Sequence, residues 1–208
     1  MPNITQFKSR LNGGVRPNLY EVEINFPTGV GGGGGTDDGK VSLSSQGRYL
    51  CRSTSLPTHS QGLIEVPFRG RFLKIPGDRT FEAWTATFYN TSDFNLRAAF
   101  ENWINIANQT DENIGVVGGL DSLFTDVTVR QLSKDSAGGK NSVLRTYRLV
   151  DAWPTSVGAI NVAYDSNDAL EEFDVEFQYQ YLDASKPGQN NTPANTTTGF
   201  LSEPDLVV

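Results

Sequence analysis

Apolar and polar side chains alternate most regularly in the last third of the chain. Phe173, Val175, Phe177, Tyr179 and Tyr181 fall on one face of an extended segment, and Glu172, Asp174, Glu176, Gln178 and Gln180 on the other. A period of two with this contrast predicts a strand over Leu170–Leu182, one face buried and one solvated. Leu19–Phe26 alternates in the same way, with Tyr20, Val22, Ile24 and Phe26 opposite Glu21, Glu23 and Asn25. Thr80–Tyr89 differs. It consists almost wholly of Thr, Phe, Tyr, Trp and Ala, so neither face is strongly polar and the strand is expected to be covered on both sides.

A helical period occurs once at length. Leu96, Phe100, Trp103 and Ala107 recur at intervals of four, three and four behind a start signal at Ser92 or Asp93. Trp84, Phe100 and Trp103 are the expected core anchors, joining the Thr80–Tyr89 strand to this helix. Further strands are predicted at Tyr49–Leu56, Leu63–Phe68 and Phe72–Ile75. The last two form a hairpin around Arg69-Gly70-Arg71, and Pro67 marks an edge or a bulge. Phe124–Leu132 and Val143–Val150 form a second hairpin closed by Trp153-Pro154. Ser156–Tyr164 leads to a turn at Asp165–Asp168, and Gln109–Leu123 reads as a polar loop.

About eight strands in hairpins and one helix predict a mainly β, α+β fold: an antiparallel sandwich or barrel with a packed helix. Residues 1–18 read as an N-terminal arm and residues 19–182 as the domain. Residues 27–47 read as a flexible insertion around the glycine run Gly31–Gly35, which cannot repay the entropy of ordering it. Residues 183–208, rich in Asn, Thr, Pro and Gly, read as a loose tail.

Charge and rare residues narrow the function. The net charge of −7, from 17 Lys and Arg against 24 Asp and Glu, argues against a protein that grips nucleic acid. A single cysteine excludes an intrachain disulfide and a Cys-rich zinc site. No apolar run approaches the roughly 20 residues that span a bilayer. The first residues lack a signal-peptide core, so a reducing, cytoplasmic setting is expected.

The candidate chemistry is thin. Gly34, Gly39 and Lys40 match part of a phosphate loop, but Val41 stands where Ser or Thr is needed and no helix is predicted to follow. His59, the only histidine, and Cys51 lack a nucleophile signature. Asp165, Asn167 and Asp168 begin like a calcium loop without its later Gly and Glu. Glu172, Asp174 and Glu176 sit about 7 Å apart on one strand face. A glycosidase pair is conceivable there, and a solvated face fits better. No catalytic residue, metal or cofactor is expected.

Six segments, in order, resemble the T-even-type (myovirus) bacteriophage tail tube protein family. They are Arg16–Val22, Cys51–Pro57, Gly77–Trp84, Trp103, Trp153–Gly158 and Tyr164–Asn167. The resemblance covers Arg16 to about Leu182. It implies a non-enzymatic β-sandwich with one helix that forms homo-hexameric rings. The inner sheets of a ring join into a barrel, and the rings stack into a helical tube. Implied partners are a sheath outside, baseplate and tail terminator proteins at the ends, and DNA passing through the lumen without sequence-specific binding. The implied location is the virion, after assembly in the host bacterial cytoplasm.

An acidic wall suits such a conduit, since basic walls would hold phosphates. Glu172, Asp174 and Glu176 are the candidate lumen-lining residues, although alternation fixes their face and not its direction. Residues 27–47 and 183–208 exceed a leaner family core, so besides a main tube subunit a special tube-end or baseplate variant, or a tail with different outer contacts, stays open. Two other readings stay open. One is the tube of an injection device or type VI system. The other is a monomeric carbohydrate-binding sandwich or hydrolase.

Overall fold

The computed structural model describes residues 3–11, 14–27, 30, 43–110, 115, 123–134 and 143–185. The elements among them run α1 (Ile4–Leu11), β1 (Tyr20–Ile24), α2 (Leu43–Leu50), β2 (Cys51–Thr54), β3 (His59–Phe68), β4 (Arg71–Phe81), β5 (Trp84–Tyr89), α3 (Asn95–Ala107), β6 (Thr125–Leu132), β7 (Val143–Val157), β8 (Glu172–Gln178) and β9 (Tyr181–Ser185). All pairings between these strands are antiparallel. The fold is mainly β and antiparallel, as the alternation predicts, with α2 and α3 packed on it where the pattern predicts one helix.

The main sheet has the order β1-β6-β7-β8-β5-β2, with β9 added on β7. β7 makes this possible by serving two leaves. Residues up to Ala152 pair with β6, and Thr146–Val150 pair with β9. From Trp153 onward the strand pairs with β8 instead. Asp151, with φ 52°, marks the change of direction. A strand that bends from one leaf to the next is the usual way to build a corner between packed sheets. The sequence pattern predicts two strands divided at Trp153-Pro154. The structure runs one 15-residue strand through them. Pro154 fits because β7 is the edge of the β8 leaf, where a missing N–H is tolerated.

The core lies between the leaves and under α3. Val22, Ile24, Val127, Val129 and Leu149 enter from one leaf; Trp84, Phe88, Phe173, Val175 and Phe177 enter from the other. Leu96, Ala99, Phe100 and Trp103 of α3 close it. Phe100 stacks against Phe88 at 5.4 Å and against Phe177 at 5.9 Å, a tilted and an edge-on contact of the favoured kind. Trp84 and Trp103 are buried, and each satisfies its indole. Nε1 of Trp84 donates to the Ser55 carbonyl at 2.8 Å and Nε1 of Trp103 to the Leu123 carbonyl at 2.9 Å. Arg97 ties α3 to the sheet. Its guanidinium donates to the Gly158 carbonyl at 2.9 Å, pairs with Glu101 at 2.8 Å and lies 5.4 Å over the Phe173 ring.

Several expectations need correction. β5 begins at Trp84, and only its Trp84, Ala86 and Phe88 face is buried; Thr85 is exposed on the other. Threonine suits a strand whether its face is covered or wet, so the mixed composition misled. Tyr49 and Leu50 belong to α2, not to a strand. The stripe of α2 is Leu43, Gln46, Gly47 and Leu50, so a glycine and a glutamine hide its period. Gly47 is buried there, and a Cβ on it would already touch Ile24 Cδ1 at 3.7 Å.

The expected flexible insertion 27–47 is therefore narrower. Val30 is buried and residues 43–47 are helical, while residues 28, 29 and 31–42, with the glycine run and Lys40, lie outside the described residues. The last strand breaks at Tyr179-Gln180 into β8 and β9, and β9 carries the sheet to Ser185, past the expected limit at 182. The N-terminal arm contains a helix, α1, with every residue exposed. Most of the Gln109–Leu123 loop and all of 186–208 lie outside the described residues.

Candidate functional site

β3 and β4 form a two-stranded sheet of their own, separate from the core. Its 10 and 11 residues turn at Arg69-Gly70, with φ 46° and 80°. Two positive φ values in a two-residue loop match the twist of a tight hairpin, and the glycine makes the second one cheap. Near the base, Gly62 and Gly77 pass so closely that a Cβ on Gly77 would lie 3.1 Å from the Gly62 carbonyl carbon. The ladder shifts register there.

The register sorts the side chains. Ile64 opposes Ile75, Val66 opposes Leu73 and Phe68 opposes Arg71, which makes one face almost wholly apolar. The other face carries Leu63, Pro67 and Phe72 around a Glu65–Lys74 pair at 3.7 Å. No residue of either strand is buried; Phe68 is 67% exposed and Leu73 59%. A two-stranded hairpin is marginal by itself in water. An apolar one with both faces open is the candidate interaction surface of the described residues. The sequence displays these apolar runs but cannot say whether their cover comes from the same chain.

The second surface is the polar face of β8, β5 and β2. Glu172, Asp174 and Glu176 stand opposite Tyr89, Thr87 and Thr85. The Thr87 hydroxyl donates to Asp174 Oδ1 at 2.6 Å, and the Arg52 guanidinium pairs with Glu172. Ser156 lies beside Glu176 on β7. Asp174 and Glu176 have no ion pair among the described residues. Phe173, Val175 and Phe177 point the opposite way into the core, so the three carboxylates share a solvated face.

The residues singled out for possible chemistry lie apart from one another or on exposed segments. Cys51 is half-buried on β2 and burial pushes its thiol up to about 12, so it is not a thiolate at neutral pH. Burial also raises Tyr20, to about 12; its hydroxyl donates to the Cys51 carbonyl at 3.0 Å. His59 is exposed at the start of β3, and Asp165, Asn167 and Asp168 are exposed in the β7–β8 connection. Among the described residues no group of three or more His, Cys, Asp or Glu side chains is placed to hold a metal ion, and no helix is long and apolar enough to cross a membrane.

The family model described as phage tail tube protein matches residues 15–184. The chain belongs to the phage tail tube protein family. Tail tube protein gp19 of Enterobacteria phage T4 is 30% identical over 168 residues, covering 80% of this chain and 90% of that protein. The tail tube protein of Serratia phage KSP90 is 30% identical over 182 residues, covering 86% and 95%. The fold recurs in the tube-terminating cap of the anti-feeding prophage, with TM-score 0.54 and 17% identity over 83% of this chain and 91% of that one. It recurs also in the anti-feeding prophage baseplate, with TM-score 0.52 and 11% identity over 82% and 95%. A member of this family is a structural component of a phage tail. The exposed hairpin sits within the family match, as do Glu172, Asp174 and Glu176.

Proposed function

We propose that this tail tube protein forms homo-hexameric rings that stack into a helical tube through which DNA leaves the virion. A sheath surrounds the tube, and baseplate and terminator proteins close its ends. Assembly precedes release, in the host cytoplasm, and the role is mechanical rather than enzymatic. The observation that carries the reading is the β3–β4 hairpin, apolar on one face and exposed on both. A free monomeric sandwich would not keep such a surface open. This weighs against the carbohydrate-binding reading. Sequence identity of 30% to phage tail tube proteins favours a DNA conduit over a protein-translocating tube. Sedimentation checks the oligomer: the full chain should run as hexamers and larger stacks, and a monomer at every concentration contradicts the reading.

The solvated face of β8 is the proposed channel lining, with Glu172, Asp174 and Glu176 repelling the phosphates over the roughly 8 Å that physiological salt allows. Arg52 is neutralised there by Glu172. The triple change Glu172→Gln, Asp174→Asn and Glu176→Gln should leave tube assembly intact, since carboxylates on a solvated strand face contribute little to folding. It should slow DNA ejection, most at low salt, because Arg52 then faces the phosphates unpaired. Unchanged ejection with weakened sheath attachment would place this face on the outside.

A further inference from the structure

The chain divides its charge by position. No Asp or Glu occurs before Glu21, while Lys8, Arg10 and Arg16 do; from Leu149 to Ser185 there is no Lys or Arg. Each region also bears an open apolar surface. On α1, Ile4, Phe7 and Leu11 recur at three and four residues and form one stripe, 70%, 62% and 52% exposed. Lys8 and Arg10 flank that stripe on its two sides by helical spacing. In the connection between β7 and β8, Val162, Tyr164 and Leu170 are exposed beside Asp165, Asp168 and Glu171. At the foot of that connection lies a recess of about 320 Å³, lined by Ile160, Asn161, Leu170, Glu171 and Asp174 among others.

We propose that α1 of one subunit docks on the 158–171 connection of a second copy of this chain. The apolar stripe of Ile4, Phe7 and Leu11 covers Val162, Tyr164 and Leu170, and Lys8 and Arg10 meet Asp165, Asp168 and Glu171. The inference rests on the reading that copies of the chain assemble. Two observations select a second copy as the occupant. Both surfaces expose apolar side chains next to charges, and the charges have opposite signs, a complementarity that gives a protein interface its register. Among the described residues nothing of the same chain covers the α1 stripe. An eight-residue helix is also too short to hold its form alone in water, and a docking partner supplies what it lacks.

The test uses the full chain. Lys8→Glu with Arg10→Glu, and separately Asp165→Lys with Asp168→Lys, should each raise the concentration needed for assembly about tenfold at low salt, and the four changes together should restore it. All four positions are exposed, so folding is not at stake. Chains bearing Phe7→Cys and chains bearing Tyr164→Cys, mixed and oxidised, should give a covalent dimer; a chain with Cys51 alone should not. Assembly that ignores both reversals, a combined variant no better than either, or assembled material with no cross-link overturns this docking and leaves the ring reading standing. A link within a single chain carrying both cysteines, formed at high dilution, overturns it in favour of self-docking. A wild-type chain that stays monomeric removes the ring reading as well. Normal assembly with lost sheath attachment assigns α1 to another partner.

Discussion

Trp103→Ala is expected to lower the stability of the fold by about 3–5 kcal/mol, the usual cost of truncating a buried aromatic. For a chain of this size the thermal midpoint should fall by roughly 6–20 °C. The side chain is fully buried on α3, 5.7 Å from the Phe26 ring and 6.4 Å from Phe177, so the cavity would open where helix, β1 side and β8 meet. Its indole also donates to the Leu123 carbonyl. Trp103→Phe separates the two losses. It keeps most of the packing but leaves a buried carbonyl without its donor, at a cost of about 1–3 kcal/mol. Urea unfolding below the concentration of assembly measures both. If Trp103→Ala unfolds like the parent and only stacking of rings fails, Trp103 faces a neighbour and the helix packing is wrong.

A second large effect is expected at the hairpin, on assembly rather than on folding. Val66→Glu with Leu73→Glu places two carboxylates on opposed positions of the apolar face. In the isolated chain both are open to water, so the urea midpoint should move little, within the roughly 0.5 kcal/mol typical of surface changes. In an assembly that covers this face, each charge would be desolvated without a partner, at several kcal/mol. Oligomers should disappear at any accessible concentration. The isosteric pair Val66→Thr and Leu73→Met should retain them. Normal tubes from the doubly charged variant would show that the hairpin stays in water and that another surface holds the rings.

The readable parts of the sequence were those in which one element carries one clear contrast. β8 announces itself because every second residue is charged or amide, and α3 because Leu96, Phe100 and Trp103 have no polar residue in register. α2 was hidden by Gln46 and Gly47 in its stripe, and α1 by a composition that also suits a loop. β7 looked like two strands because proline usually ends one, and an edge position removes that objection. The acidic face was legible as a face, since alternation fixes it, while its direction depends on neighbours the chain does not contain. The hairpin was legible as a hairpin and not as a site. Exposure is a property of what surrounds an element, and apolar runs read alike whether the same chain or another covers them.

The most direct test of the account is cryo-electron microscopy of tubes grown from the purified full-length chain. The account predicts stacked six-fold rings, the β3–β4 hairpin buried against neighbouring subunits, and Glu172, Asp174 and Glu176 facing a continuous central channel. Rings of another symmetry, hairpins left in solvent, or a channel wall built without the β8 face would contradict it.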